Sequence, residues 1–209
     1  MSVTDRRDVI DVLSGEHRAV EALFQRLETG AGGPDGSRKS LVDALALELA
    51  WHAAAAQRYF LPLARRTLPD GEDLADLHAA EHLTVEHMVR DLEGKDPSDA
   101  RFEPLLAQLV AAARGHIQHE ERITFAELAR QCDRGELLAA GQEMAEARRR
   151  AESAAGAAGL GGAGFGTATG TATGMVPPQA GPGATADSAA GAGAATSVVD
   201  RVRAVLFDT

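Results

Sequence analysis

The sequence is poor in cysteine and in aromatic residues. One cysteine, Cys132, occurs among 209 residues, and aromatic residues make up 4% of the chain. A single cysteine excludes an intramolecular disulfide framework and any zinc site built from several cysteines of this chain. Because strands are enriched in aromatic residues and helices need few, this composition favours helices of alanine and leucine over an aromatic-rich β-sandwich.

Long apolar runs and an excess of positive charge are also missing. No stretch approaches the ~18 consecutive apolar residues of a membrane-spanning helix, and the first residues lack the apolar segment of a signal peptide. The formal net charge is −10, with 31 acidic against 21 basic residues. This balance disfavours binding to nucleic acid or to an anionic membrane surface. We therefore expect a soluble, cytoplasmic protein that binds neither nucleic acid nor membranes.

The apolar–polar alternation of β-strands is absent from the first 150 residues. Loops rich in glycine, proline and aspartate occur instead near residues 30–36, 69–71 and 94–98, and they separate long segments. Short loops make neighbouring helices antiparallel. The sequence therefore predicts an all-α fold, an up-down-up-down four-helix bundle with an extra C-terminal helix and a disordered tail. The predicted helical segments are roughly 6–28, 38–67, 72–93 and 102–131, with a fifth at 135–153.

The composition divides the chain into four parts. We assign 1–133 to the bundle and 134–153 to the additional helix. Over 151–197, alanine and glycine fill 28 of 47 positions, so the part at 154–196 cannot bury enough apolar surface to fold and is predicted to be a disordered linker. Residues 197–209 have one apolar face at helical spacing. They are either a short helix that docks on this bundle or on a partner protein, or a frayed tail.

Histidines occupy the apolar stripe of each of the four main segments. A lone histidine on such a stripe is more often a core residue that is hydrogen-bonded to its neighbours than a ligand. Four helices that each turn an imidazole inward are better explained by a shared metal ion, because neutral imidazole and carboxylate suit iron, zinc, copper or nickel. The stripes carry His17, His52, His78, His82, His116 and Glu120, and Glu86 lies farther round its helix.

These residues also carry a family resemblance. Glu16-His17, His52 before Tyr59-Phe60-Leu61-Pro62, Glu81-His82-x3-Glu86, and His116-Ile117-Gln118-His119-Glu120-Glu121 resemble the motifs of a hemerythrin-like (HHE cation-binding) domain. The similarity covers about residues 8–130, and the extra helix, linker and short terminus resemble the actinobacterial branch of that family. Myohemerythrin is an up-down-up-down bundle, so the implied fold agrees with the one predicted from the loops.

The resemblance implies a non-haem iron centre, usually two irons bridged by oxygen and carboxylates, that binds O2, NO or peroxide or handles iron. Another divalent transition metal is an alternative to iron. Binding or sensing is implied rather than catalysis, with a peroxide-consuming iron enzyme as the alternative. Carried over by position, the ligands are His17, His52, His78, His82, Glu86, His116 and Glu120.

The second helix departs from the family pattern. The family normally has His-x3-Glu at this point, whereas here Ala56 follows His52 by four residues. Losing a bridging carboxylate weakens a second metal site most, because carboxylates offset the charge of the ions. Three outcomes remain open: a single ion, a pair of ions rescued by Glu120 or Glu86, or a helical interaction module whose metal site has decayed.

Overall fold

The computed structural model describes residues 7–30, 36–157 and 197–207, and within these ranges it contains six helices and no strand. Two of the helices contain a π-helical segment between two α-helical parts. The helices are α1 (Val9–Glu28), α2 (Gly36–Ala55, the π segment Ala56–Phe60, and Leu61–Thr67), α3 (Gly71–Leu92), α4 (Phe102–His119, the π segment Glu120–Phe125, and Ala126–Gln131), α5 (Arg134–Ala157) and α6 (Val198–Phe207).

Helices α1 to α4 form the predicted bundle, so the all-α fold is confirmed. A capping box starts α1: the Asp8 carboxylate accepts from the Asp11 amide at 3.0 Å, and the Asp11 carboxylate accepts from the Asp8 amide at 3.3 Å. The turn into α3 depends on Gly71, because a Cβ there would lie 2.2 Å from the Ala64 carbonyl oxygen. Only glycine allows this close approach between α2 and α3.

Helix α5 packs along α1, as the extra C-terminal helix of the prediction. A Cβ on Gly141 would lie 2.5 Å from the Asp8 carbonyl carbon, so this glycine sets how closely the two helices approach. Arg148 ties α5 to α2: its guanidinium lies 5.0 Å from the centre of the Trp51 ring and donates to Glu48 at 2.6 Å. The helix runs to Ala157, four residues past the end expected from the sequence.

Helix α6 docks against α2 and α3 and buries four aliphatic side chains, which are Val198, Val199, Val202 and Leu206. Its first turn is held by Glu93, whose carboxylate accepts from the Val198 amide at 2.8 Å and from the Ser197 hydroxyl at 2.6 Å. Arg58 donates to the Leu206 carbonyl at the other end. Of the alternatives that the sequence leaves open for this segment, the structure has the docked helix.

The remaining parts of the chain lie outside the described residues. They include 158–196, which make up most of the predicted linker at 154–196, so that prediction is not tested here. None of the helices in the described ranges is long and apolar enough to cross a membrane.

In α2 and α4, the π segments change which residues point into the bundle, relative to the regular α-helical spacing that the sequence predicts. A π turn uses i→i+5 hydrogen bonds, so later residues are displaced around the helix axis. Ile123 follows His116 by seven residues, so a regular α-helix would place both on the same inward stripe. It is instead 45% exposed, whereas Thr124 and Phe125 are buried.

Candidate metal centre

Imidazoles from four helices meet in the middle of the bundle around the carboxylate of Glu120. The Nε2 atoms of His82 and His116 are 2.9 Å apart. One oxygen of Glu120 lies 3.2 Å from Nε2 of His17 and 3.6 Å from Nε2 of His52. The same oxygen lies 3.8 Å from Nε2 of His116. All five side chains are at most 5% exposed, and Glu120 is fully buried.

The two π segments begin at this cluster. Ala56 and Glu120 each follow a clustered histidine by four residues, and each is the first residue of a π segment. Such irregular turns occur frequently at functional sites because they redirect side chains. Here the two helices change their winding at the level where His52 and His116 face the centre of the bundle.

Carboxylates outside the cluster fix the orientation of three of the imidazoles. Nδ1 of His17 lies 2.9 Å from Glu121, and Nδ1 of His116 lies 2.8 Å from Glu81. Nδ1 of His52 lies 3.2 Å from Glu16, which also accepts from the Trp51 indole at 2.9 Å. Since a carboxylate accepts, each Nδ1 donates, and Nε2 is the ring nitrogen that is turned toward the centre of the cluster. This carboxylate–histidine arrangement is typical of metal-binding imidazoles.

Several buried polar atoms of the cluster have no hydrogen-bond partner. They are Nε2 of His17 and His52, Nδ1 of His82, and both oxygens of Glu120. A buried polar group without a partner is costly, and nearly all such groups in folded proteins are satisfied. Nε2 of His17, Nε2 of His52 and one oxygen of Glu120 lie together at the centre of the cluster. The apolar core supplies nothing else there for them to bind.

The electrostatics favour the protonation states that a metal ion requires. Burial holds the pKa of His82 well below its usual value, so this imidazole is neutral. Burial alone would raise the pKa of Glu120, but its close contact with His17 and the other neighbouring imidazoles lower it overall, so the carboxylate is ionised. Metal ligands must be neutral imidazole and ionised carboxylate.

The donor atoms of four residues lie close enough together to hold a metal ion. Ligand atoms of His52, His82, His116 and Glu120 all lie within 4.8 Å of one another. Two ligands bound at ~2.1 Å to one ion are separated by no more than ~4.2 Å, and the distances of 2.9, 3.6 and 3.8 Å fall within that limit. Three imidazoles and a carboxylate are a donor set for iron, zinc or a similar transition metal.

A small cavity adjoins the imidazoles. It has about 10 Å³ of space for the centre of a water-sized molecule, which is room for one such molecule. Four histidines line it: His17, His52, His82 and His116. Its other walls are aliphatic and consist of Val20, Leu49, Ala53, Val85, Ala113 and Ile117.

Two of the residues predicted as ligands lie elsewhere. His78 is fully buried, but Nε2 is 2.7 Å from the Thr124 hydroxyl and Nδ1 is 3.2 Å from Glu81, so both ring nitrogens have partners. Glu86, which is 2% exposed, accepts from the Arg203 guanidinium at 3.0 and 3.1 Å. The structure therefore brings together His17, His52, His82, His116 and Glu120, and it leaves His78 and Glu86 outside that group.

Four residues around the site were not predicted as part of it. They are Glu16, Glu81, Glu121 and Thr124, which bind the outward nitrogens of the histidines. Glu16, Glu81 and Glu121 each lie within the motifs that carry the family resemblance, which is a signal that could have found them. Thr124 lies within the π segment and could not be placed from helical spacing.

Comparison with known proteins agrees with this geometry. The family model described as the hemerythrin HHE cation-binding domain matches residues 8–157, well over half of the chain. Comparison with curated proteins and with solved structures yields no match. The matched range contains all five helices α1 to α5 and every residue of the cluster. The chain belongs to the hemerythrin HHE cation-binding family.

Proposed function

We propose that this protein binds iron in the centre of its bundle and uses it to bind a small neutral molecule such as O2, NO or peroxide. His52, His82, His116 and Glu120 are the proposed ligands, with His17 as a fifth. The observation that carries the proposal is the cluster of buried donor atoms around the Glu120 carboxylate, several of which have no hydrogen-bond partner. A metal ion is a partner that the imidazoles and the carboxylate can share.

Iron is proposed because the donor set suits it and because iron is typical of the family. An iron ion held here would supply an open coordination position to a small molecule. The protein supplies the imidazoles, the carboxylates that orient three of them, and a small cavity with aliphatic walls. Zinc or copper would be accepted by similar ligands, so the identity of the metal is an outcome of the experiment.

The cavity favours a small, uncharged ligand. Its walls beyond the histidines are aliphatic, so a charged molecule would lose its hydration without gaining a partner. Among the described residues that line it, the four histidines are the only titratable side chains. No further group is positioned there as an acid or base, which favours binding or sensing over turnover. Consumption of peroxide by the iron-loaded protein would show the enzymatic alternative.

The test of metal binding is His52→Leu with His87→Leu as the matched control. His52 is buried in the cluster, whereas His87 is exposed on α3. Both proteins are loaded with Fe(II) without oxygen, freed of excess metal and analysed for iron, with circular dichroism to check folding. We expect His52→Leu to fold and lose most of its iron while His87→Leu keeps it. Equal iron in both, or none in the unmodified protein, would overturn the proposal.

The test of ligand binding uses NO on the ferrous protein. We expect the optical spectrum to change on adding NO, and His52→Leu to show no such change. An unchanged spectrum in iron-loaded, unmodified protein would contradict the proposed ligand class. If the protein folds but takes up no iron on loading, and NO then causes no spectral change, the helical interaction module is favoured instead.

A further inference from the structure

We infer that this centre holds one metal ion rather than the carboxylate-bridged pair that the family resemblance implies, and that its ligand is one that a single ion can bind, such as NO. The inference rests on the proposed function. It follows from the number and placement of the carboxylates near the cluster, and from the hydrogen bonds that already occupy the neighbouring donors.

The first step is that few carboxylates in the described residues face the centre of the cluster. Within the described part of the chain, Glu120 is the one carboxylate whose oxygens face the cluster without a partner. The position four residues after His52, where the family pattern has glutamate, is Ala56, which is fully buried. A methyl group therefore stands in the core where a second bridging ligand is needed.

The second step is that nearby carboxylates are already engaged. Glu16, Glu81 and Glu121 each face a histidine Nδ1, on the outer side of the imidazole. Glu86 is bound by Arg203 at 3.0 Å and lies 3.9 Å from Arg90. Moving any of these inward would leave a buried imidazole or a guanidinium without its partner, which is costly.

The third step concerns the other group that could hold an ion, which consists of His78, Glu81 and His116. Glu81 accepts from Nδ1 of His78 at 3.2 Å and from Nδ1 of His116 at 2.8 Å. The remaining nitrogen of His78 is 2.7 Å from the Thr124 hydroxyl. These atoms satisfy one another, in contrast to the unpartnered atoms of the main cluster. No unmet donor there calls for a second ion.

The fourth step is charge. Two divalent ions bring four positive charges into a buried site whose inner ligands contribute one negative charge, from Glu120. Uncompensated charge in the core carries a large desolvation cost. With the inner ligands alone, one divalent ion leaves a single net positive charge, whereas two ions leave three. The inner ligands therefore favour one ion.

A single ion also restricts the chemistry of the ligand. Storing O2 at the level of peroxide requires two electrons, and one Fe(II) ion gives up one electron on passing to Fe(III). A ferrous ion held by His52, His82, His116 and Glu120 could bind NO without a second ion and without an electron from outside the complex. We therefore place NO ahead of reversible O2 storage as the ligand class.

The experiment is the iron stoichiometry of unmodified protein beside Ala56→Glu and Ala56→Gln. Glutamate restores a carboxylate at this position, and glutamine has nearly the same size without the charge. After anaerobic loading and removal of excess Fe(II), we expect about one iron per chain for the unmodified protein and for Ala56→Gln. We expect a value above one for Ala56→Glu. Because either variant could fail to fold, electron paramagnetic resonance of the oxidised unmodified protein is the second measurement.

The outcomes separate this inference from the proposed function. About one iron per chain, with the resonance of an isolated high-spin ferric ion, supports the inference. Two irons per chain, with a spin-coupled pair that lacks this resonance, overturns it while leaving iron binding intact. No iron overturns the proposed function itself. Reversible binding of O2 with the spectrum of a bridged pair would also contradict the single ion.

Discussion

At the scale of the residue, three of the four clustered histidines make a different contact with each ring nitrogen. His17, His52 and His116 turn Nδ1 to a carboxylate and Nε2 to the centre of the bundle. The inward positions of these histidines could be predicted from helical spacing, because spacing alone decides which side of a helix faces the core. Their outer partners could not, because Glu81 and His116 lie on different helices whose relative height is set by tertiary packing.

The outer carboxylates give a prediction at this scale. Hydrogen bonding from His116 holds the pKa of Glu81 at about 2, so this carboxylate is ionised at neutral pH. The charged carboxylate of Glu81 orients the His116 imidazole and makes it more basic. Glu81→Gln removes that charge and therefore both effects. We expect metal affinity to fall ~10–100-fold, the usual effect of losing such an outer partner. Competition with a chromophoric chelator measures the affinity.

Glu72→Gln is the control for this change. Glu72 is on the same helix but is exposed, and its contact is a 3.4 Å surface ion pair with Arg65. The control should keep the affinity of the unmodified protein, since surface pairs contribute little. An equal loss of affinity in both variants would mean that Glu81 acts only through the charge of the helix.

At the scale of the element, the regular parts of the helices follow the sequence and the irregular parts do not. The segment predicted at 102–131 is a single helical rod, α4, with the expected ends. Within it, the π segment Glu120–Phe125 turns Thr124 inward and Ile123 outward. Helical periodicity carries no signal for this turn, since its i→i+5 bonds depend on how the helix is packed by its neighbours.

Helix α6 shows the same division. Its apolar face is visible in the sequence, but a helix of ten residues has little stability alone, so docking depends on the groove that receives it. That groove contains Glu86, which is 2% exposed and paired with Arg203. The family resemblance implied that Glu86 is a metal ligand. The structure offers a different partner for it, supplied from over a hundred residues away in the chain.

The ion pair between Glu86 and Arg203 gives a prediction for this element. Arg203→Met leaves the Glu86 carboxylate buried without its main partner, and removing one member of a buried pair costs about 3–5 kcal/mol. If α6 leaves its groove, Glu86 becomes exposed to water. The loss of stability therefore cannot exceed the free energy of undocking α6. We expect faster hydrogen exchange of the amides of Val198–Phe207, with α1 to α4 unchanged.

Glu86→Leu combined with Arg203→Met is the matched control. A buried ion pair replaced by apolar residues of similar volume is often as stable as the original. The double variant should therefore recover slow exchange in α6. Unchanged exchange in the single variant would show that the four aliphatic side chains hold the helix without help from the ion pair.

At the scale of the whole molecule, the metal site and the fold depend on each other. The five clustered side chains come from all four helices of the bundle, so one ion would link every helix at its centre. Without an ion, the unpartnered donors reduce stability. A protein that binds metal only when folded is stabilised by the free energy of binding.

This coupling predicts the effect of metal removal. Free metal at 100 times its dissociation constant adds ~2.7 kcal/mol to the free energy of unfolding. For a domain of this size each kcal/mol raises the midpoint of thermal unfolding by ~2–4 °C, so we expect a rise of roughly 5–11 °C. Calorimetry with Fe(II), then with excess chelator, measures it. A midpoint that does not respond to either would favour a helical module without a metal.

The most direct test of the central claim is anomalous diffraction at the iron edge from crystals of the iron-loaded protein. The account predicts one anomalous peak per chain, within coordination distance of His52, His82, His116 and Glu120. A peak at His78 and Glu81 instead, a pair of peaks bridged in the bundle, or no peak in protein that has been loaded with iron would contradict it.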